Sequence, residues 1–110
     1  MTTEQQRFIE ALRDPKYKQT SGKLKRNECF CAEGLKCEIY RQLTGKGSWL
    51  TAGSNKDRFS FDNWAWGYNA PTEVDLYFAF PKQHDTSIIK MNDEGMTFPE
   101  IADKLEALVS

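Results

Sequence analysis

Three cysteines and a single histidine are the side chains of this sequence that could most readily do chemistry. Cys31 and Cys37 are six residues apart, which on a helix separates them by about 240° at ~100° per residue. While the helix stands, they can share neither a metal ion nor a disulfide. Cys29 could approach Cys31 only in an extended segment, and a zinc site would still lack ligands beyond His84. We therefore predict no metal site and no cofactor, and we interpret Cys31 and Cys37 as small buried apolar side chains.

A cysteine activated by His84, with Asp85 orienting the imidazole, is the other chemical possibility. A chain with one histidine always permits such a pairing, and no local motif supports it here. We expect His84 to be an ordinary surface or hydrogen-bonded histidine. The protein is accordingly predicted not to be an enzyme, and a thiol enzyme ranks third among the functions considered.

A basic segment and an aromatic segment together suggest a binding pocket. Residues 16–26 contain five of the fifteen basic residues and no acid, while residues 46–69 interleave aromatic rings with Gly, Ser, Asn and Asp. Such rings could stack on a base while the basic loop holds phosphates. The candidate ligand-binding residues are Lys16, Lys18, Gln19, Ser21, Lys23, Arg26, Trp49, Trp64, Trp66 and Tyr68. Two alternatives stay open, because the loop could be merely solvated and the rings could form the core of a small domain.

Length and charge narrow the class of protein. Residues 1–110 suffice for one small domain with one core. A net charge of -1 and a pI near 5.8 argue against a surface built to grip nucleic acid. The polar N-terminal residues lack an apolar signal-peptide region, and no apolar run reaches membrane-spanning length. We expect free thiols and a cytoplasmic location.

The elements that must position these residues can be predicted from periodicity. Thr3 to Arg13 has the caps and apolar face of a first helix, and Asp14-Pro15 ends it. A central helix is predicted to begin at Phe30, to run to Leu43 and to stop at Gly45. Its apolar stripe is Cys31, Leu35, Ile39 and Leu43. The residues expected to face water are Glu33, Lys36, Glu38 and Arg41.

The second half of the chain combines strands and helices. Segments Ser48–Ala52 and Arg58–Phe61 are predicted to pair as a hairpin across residues 53–57. A helix is predicted over residues 71–79, with Pro71 at its first position. A last helix begins with a Thr97–Glu100 capping box, and its core face is Ile101, Leu105 and Leu108. The fold class is α+β, a mostly helical single domain of about four helices with one short hairpin.

The last helix also resembles the first helix of a helix-turn-helix, in which a second helix enters the DNA groove. Only Ser110 follows its final apolar residues in this sequence. We expect a packing helix, and a small DNA-binding or regulatory module is the alternative function.

Four segments resemble the signatures of a family of small proteins widespread in bacteriophages and prophages. Residues 30–40, F-C-A-E-G-L-K-C-E-I-Y, resemble its F-C-C-L-G-V-L-C-D-L-Y motif. Residues 17–24 match Y-x-Q-x-x-G-x-L, and residues 71–74 resemble its P-P-E-V helix start. Residues 91–106 resemble its closing L-N-D-x-G-x-S-F-x-x-I-A-x-x-I-E. The order of the four segments is also that of the family.

The sequence departs from this pattern at Ala32, Glu33 and Lys36, where the family has apolar residues, and in the additional Cys29. These changes predict a more exposed outer face for the central helix. The resemblance implies a phage or prophage origin more than a particular chemistry.

From the resemblance, the small size and the aromatic richness, we expect a non-enzymatic phage-type protein that binds and neutralises a host factor. Anti-defence activity and host takeover both fit this description. The partner is expected to be a host protein or a nucleotide-like immune signal that the pocket sequesters, with nucleic acid less favoured. The location is then the host cytoplasm. A homodimer is compatible with so many rings in a small domain.

Overall fold

The computed structural model describes residues 1–50, 58–67, 69–80, 88 and 90–109. The described chain forms one α+β domain with five helices and two small three-stranded sheets, which confirms the predicted fold class. The helices are α1 (Thr3–Arg13), α2 (Ala32–Thr44), α3 (Thr72–Phe78), the short α4 (residue 88 and residues 90–93) and α5 (Phe98–Val109). The strands are β1 (Lys18–Gln19), β2 (Lys25–Arg26), β3 (Cys29–Phe30), β4 (Ser48–Leu50), β5 (Arg58–Phe61) and β6 (Trp64–Trp66). Among these helices, none is long and apolar enough to cross a lipid bilayer.

Helix α2 is the centre of the domain, as predicted, and residues 30–40 are all buried. It contacts α1 and α3, and α1 in turn packs against α5. The helix starts two residues later than predicted, because Cys31 has an extended backbone and its Sγ accepts a hydrogen bond from the Gly34 N–H at 3.3 Å. Gly45 ends the helix with a φ of 74°, the left-handed conformation expected of it.

The expectation that the charged residues of α2 face water is wrong for three of the four. Glu33, Lys36 and Glu38 are only 3%, 0% and 7% exposed. Helix α3 covers one side and supplies Asp75, whose Oδ1 lies 2.7 Å from the Lys36 Nζ, while Glu33 Oε1 lies 3.2 Å from it. A buried charge is tolerated when opposite charges satisfy it, so these residues are part of the interior.

The first sheet holds the chain that leads into α2. Its order is β1-β3-β2, with β1 parallel and β2 antiparallel to the central strand β3. Leu24, just before β2, is buried, and its carbonyl accepts from the Cys31 N–H at 3.1 Å. A Cβ at Gly34 would overlap this same Leu24 carbonyl oxygen, so Gly34 allows the loop to lie directly on the first turn of α2.

The second sheet has the order β4-β5-β6, and both pairs are antiparallel. The predicted pairing of the segment after Ser48 with Arg58–Phe61 is confirmed over residues 48–50, while residues 51–57 lie outside the described residues. Strand β6 was not predicted. Asp62 and Asn63, with φ of 52° and 61°, form a tight two-residue turn before it. Asp and Asn tolerate this left-handed geometry better than most residues, so the sequence did contain the signal.

The remaining helices follow their local signals closely. The bounds of α1 are those predicted, although Thr2 rather than Thr3 caps it. Helix α3 begins after Pro71, which is extended and acts as the N-cap instead of occupying the first helical position. The capping box before α5 is present, since the Thr97 N–H donates to Glu100 Oε1 at 3.0 Å and the Glu100 N–H donates to Thr97 Oγ1 at 3.4 Å.

Two apolar stripes end earlier than predicted. Leu43, in the last turn of α2, and Leu108, in the last turn of α5, are each 41% exposed. Each helix extends past the side chains that cover its earlier turns, so the core faces end at Ile39 and Leu105.

Candidate binding cleft

Gln19, one of the predicted ligand residues, uses its side-chain amide to hold the fold together. Its Nε2 donates to Asn92 Oδ1 at 2.9 Å and to the Met96 carbonyl at 2.7 Å, and its Oε1 accepts from the Phe98 N–H at 2.9 Å. Asn92 is itself 3% exposed, and its Oδ1 also accepts from the Ala32 N–H at 3.1 Å. The polar residues of two separate sequence motifs thus join the start of α2 to the start of α5.

The charged members of the predicted basic site are exposed at the surface, and they do not converge on the rings. The exposed cations are Lys16, Lys18, Lys23 and Arg26, and the uncharged Ser21 of the same predicted site is exposed as well. Lys23 lines a cavity of about 240 Å³ near the start of α2, together with the acidic residues Glu33 and Asp93. Lys16 lines a separate depression of about 170 Å³ that also contains Glu10 and Asp14. Acids in both places work against a phosphate ligand.

The cysteines are free thiols and two of them are buried. Burial raises the pKa of Cys31 to about 11, and burial also raises the pKa of Cys37 well above its ordinary value. Reactive cysteines have a lowered pKa, so both thiols have the properties of packing groups. Within the described residues, no cluster of three or more His, Cys, Asp or Glu side chains is placed to hold a metal ion. His84 and Asp85 lie outside the described residues.

Trp49 is tied into the interior of the domain. Its Nε1 donates to Glu38 Oε1 at 2.8 Å, and its ring contacts Phe30 and Phe59 at centroid distances of 5.7 and 5.0 Å. The Lys25 Nζ lies 5.4 Å above the ring, a cation–π arrangement. This tryptophan therefore connects β4 to α2 and serves the fold.

Glu38 accepts several side-chain hydrogen bonds at this edge of the sheet. Arg41 donates two, at 3.0 and 2.7 Å, and Gln42 donates one at 2.7 Å, in addition to the bond from Trp49. Burial acts to raise the pKa of Glu38, but these hydrogen bonds outweigh burial and leave the pKa below its ordinary value. The carboxylate is therefore the stable form inside the fold.

Trp64 and Trp66 lie at the opposite edge of the same sheet and form an open cleft. Trp64 pairs with Phe61 and Trp66 pairs with Phe59, which places these rings on one face of β5 and β6. Phe59 is fully buried, Trp66 is half-buried and Trp64 is 68% exposed, so the aromatic face runs outward from the core. The cleft has a volume of about 320 Å³, and its lining residues are Phe61, Asp62, Trp64, Trp66, Pro71, Thr72 and Glu73.

Among the described residues, the charged groups of this cleft are acids. Asp62 lies at the β5–β6 turn and Glu73 lies in the first turn of α3, and both are exposed. In the part of the chain that the structure describes, no lysine or arginine forms an ion pair with either carboxylate. Leu76, which is 67% exposed, follows Glu73 at helical spacing and so lies on the same side of α3.

The structure thus brings Trp64 and Trp66 together in one cleft, and among the described residues neither Trp49 nor a basic residue lines it. Tyr68 lies outside the described residues. Sequence reasoning missed the second wall of the cleft, formed at the start of α3 by Pro71, Thr72 and Glu73. The sequence predicted a helix start at Pro71, but nothing in it told which strand that helix start would lie beside.

These observations define a small α+β domain with a shallow aromatic and acidic surface cleft. The chain belongs to the family described as Domain of unknown function (DUF8296), whose model matches residues 1–109. The matched range includes all five helices and both sheets described above. Comparison with curated proteins and with solved structures gave no match.

Proposed function

We propose that this protein is a non-enzymatic, phage-type protein that binds a host protein through the cleft beside β6 and thereby neutralises it. The observation that carries the proposal is the exposure of Trp64, at 68%, in a cleft whose other side is formed by the start of α3. Large apolar side chains on a small soluble domain are costly when they stay in water. Exposed tryptophans are also the residues that most often dominate the energy of protein interfaces.

The turn before β6 supports this role. Asp62 and Asn63 close a two-residue turn, and the pairing of Phe61 with Trp64 fixes the strand that follows. The backbone that carries Trp64 is therefore held in place before any partner arrives. A side chain presented from a fixed backbone loses less entropy on binding than one presented from a flexible loop.

The charges of the cleft favour a protein over the nucleotide-like signal. A nucleotide would need cations near the rings that stack on its base. Within the described part of the lining, the charged residues are Asp62 and Glu73, and carboxylates repel phosphate. DNA is disfavoured for the same reason, together with the net charge of -1.

The non-enzymatic part of the proposal is supported by the state of the thiols. Cys31 caps α2 and has a pKa raised to about 11 by burial, so it lacks the thiolate that nucleophilic catalysis requires. A phage origin is supported by the resemblance of four sequence segments to phage-protein signatures. The host cytoplasm is the corresponding place of action.

Site-specific photo-cross-linking in the bacterial host tests the proposal. A benzophenone side chain is placed at position 64 or, as a control, at the exposed position 104 on α5. We expect one host protein to be cross-linked from position 64 and not from position 104. The Leu76→Ser variant should weaken co-purification of that protein, whereas Leu108→Ser, a change at a distant exposed leucine, should not.

Three outcomes contradict the proposal. Equal cross-linking from both positions would show that the cleft is not the interface. A cross-link to a second copy of the chain would identify the cleft as a dimer interface instead. A nucleotide retained in native mass spectrometry, together with no protein cross-link, would favour the sequestering function.

A further inference from the structure

We infer that the cleft recognises a cationic side chain, an arginine carried by a segment of the partner protein. This inference rests on the proposed function and adds the chemistry of the group that is bound. It follows from the pairing of aromatic ring faces with carboxylates in the same cleft, since each of these groups alone attracts a cation.

The rings supply the first part of the recognition. Phe61, Trp64 and Trp66 line the cleft, and Trp64 exposes most of its surface. The face of an aromatic ring carries negative electrostatic potential, so a cation near it is attracted, and tryptophan attracts most strongly. The chain already uses this contact, because the Lys25 Nζ lies 5.4 Å from the Trp49 ring and 5.8 Å from the Phe30 ring. No such cation is placed over Trp64 or Trp66 within the described residues.

The carboxylates supply the second part. Asp62 comes from the β5–β6 turn and Glu73 from the start of α3, so they approach the cleft from two different elements. Asp75 and Glu38, by comparison, are paired with Lys36 and Arg41. Asp62 and Glu73 have no basic partner among the described residues, and both are exposed to an incoming one beside the aromatic rings.

Arginine fits both parts better than lysine. Its planar guanidinium stacks on an aromatic face and at the same time donates in-plane hydrogen bonds to carboxylates. Its methylene stem can lie along the apolar ring surfaces that line the cleft. The compact and strongly hydrated lysine ammonium can make one of these contacts well, but not both together.

The test is a titration of the ¹⁵N-labelled full-length protein, followed by NMR, with three probes. The first is a capped pentapeptide with a central arginine and glycines on both sides. The second replaces arginine by citrulline, which has nearly the same shape and no charge. The third is adenosine monophosphate, which represents the nucleotide-like ligand.

We expect the arginine peptide to shift the indole N–H signals of Trp64 and Trp66 and the amide signal of Glu73. All three shifts should saturate with the same dissociation constant. The Trp49 indole should not move, because its hydrogen bond to Glu38 lies at the other edge of the sheet. The citrulline peptide should bind about tenfold more weakly, since it loses a cation–π contact and an ion pair worth roughly 0.5–1 kcal/mol each. Added salt should lower the affinity of the arginine peptide and leave the affinity of the citrulline peptide unchanged.

Charge-neutral variants give the matched control. Glu73→Gln and Asp62→Asn should each reduce arginine-peptide affinity by about threefold, the effect of losing one exposed ion pair. Glu94→Gln, at an exposed acid outside the cleft, should leave the affinity unchanged.

Equal affinity for the arginine and citrulline peptides would overturn the inference, as would tighter binding of adenosine monophosphate at the same signals. The absence of any saturable shift at Trp64 and Trp66 would also overturn it. The two proposals can fail separately. If a host protein is cross-linked from position 64 but the arginine peptide does not bind, the proposed interface stands and the inference about arginine is wrong. If the arginine peptide binds but no host protein is cross-linked, the inference about arginine stands and the proposed function is wrong.

Discussion

Asp75 and Glu73 lie two residues apart on α3, yet Asp75 pairs with a buried lysine and Glu73 is open to solvent. The Asp75 Oδ1 is 2.7 Å from the fully buried Lys36 Nζ, while Glu73 lines the cleft without a basic partner among the described residues. Trp49 and Trp64 repeat the contrast on the second sheet. Trp49 donates a hydrogen bond to Glu38 at one edge, and Trp64 is 68% exposed at the other.

The comparison shows how fold-forming and ligand-binding groups can be told apart when they are of the same residue type. On the inner side, each acid and ring named above already has a partner within the chain, and that partner accounts for its presence. On the outer side, side chains of the same types lie in one cleft, and the described structure gives them no such partner. A binding site requires apolar and polar groups that lie in one cleft and are still free to contact a ligand.

The largest effect that would sharpen this comparison is expected from Lys36→Met. Methionine keeps much of the apolar stem but leaves the buried Glu33 carboxylate and Asp75 without their shared cation. Removing one partner of a buried ion pair typically costs about 3–5 kcal/mol of unfolding free energy. Urea denaturation measures this loss, with Lys104→Met at an exposed position of α5 as the control that should show no change. If the loss of unfolding free energy is no larger than that of the control, the ion pairs of Lys36 do not stabilise the fold.

The second effect concerns Trp49. Trp49→Ala should lower the unfolding free energy by about 3 kcal/mol, because it removes a large ring packed on Phe30 and Phe59. Trp49→Phe keeps much of the packing and leaves the buried Glu38 with one hydrogen bond fewer, at a cost of about 1 kcal/mol. Denaturation midpoints of the two variants separate the ring from its N–H. Equal losses would mean that packing contributes nothing beyond the hydrogen bond.

A pH-dependent effect is expected at Glu38. Burial alone would raise its pKa, but hydrogen bonds from Arg41, Gln42 and Trp49 lower the folded-state pKa below that of the unfolded chain. A carboxyl group with a lowered folded-state pKa stabilises the fold at pH values above its unfolded pKa of about 4.3. That contribution is lost as the pH falls through the folded-state pKa.

The stability difference between wild type and Glu38→Gln should therefore be constant near neutral pH and shrink on acidification below about pH 4.3. Urea denaturation across this range measures it, and Glu94→Gln serves as an exposed control. A difference that stays the same at every pH would show that Glu38 acts by packing and not by charge.

Local signals in the sequence were enough for most of the fold. The left-handed residue at Gly45, the Thr97–Glu100 capping box and the pairing of β4 with β5 all follow from a few neighbouring residues, and the structure confirms them. The burial of Lys36 did not follow, because its partner Asp75 is remote in sequence and only the docking of α3 brings it near. Gly34 is similar, since the carbonyl that excludes a side chain there belongs to Leu24 in another element.

The candidate site was only half predictable for the same reason. Aromatic richness singled out Trp64 and Trp66, and the structure does place both in one cleft. Charge density singled out the basic loop, none of whose residues lines the cleft, while the acids Asp62 and Glu73 attracted no attention. Which charges accompany a ring depends on how β6 and α3 pack together, and a pattern within one element cannot show that.

The smallest effect on stability is expected where the effect on binding should be largest. Trp64→Ala removes the same side chain as Trp49→Ala, from the opposite edge of the same sheet. Because Trp64 is mostly exposed, its removal should change the unfolding free energy by no more than about 0.5 kcal/mol, as for other surface substitutions. The same variant should lose co-purification of the host partner and the arginine-peptide shifts at Trp66 and Glu73. A stability loss as large as that of Trp49→Ala would mean that Trp64 is retained for the fold, and the contrast between the two edges would no longer identify a binding surface. Full stability combined with lost binding would instead assign the exposed ring to recognition, because nothing within the domain would then require it.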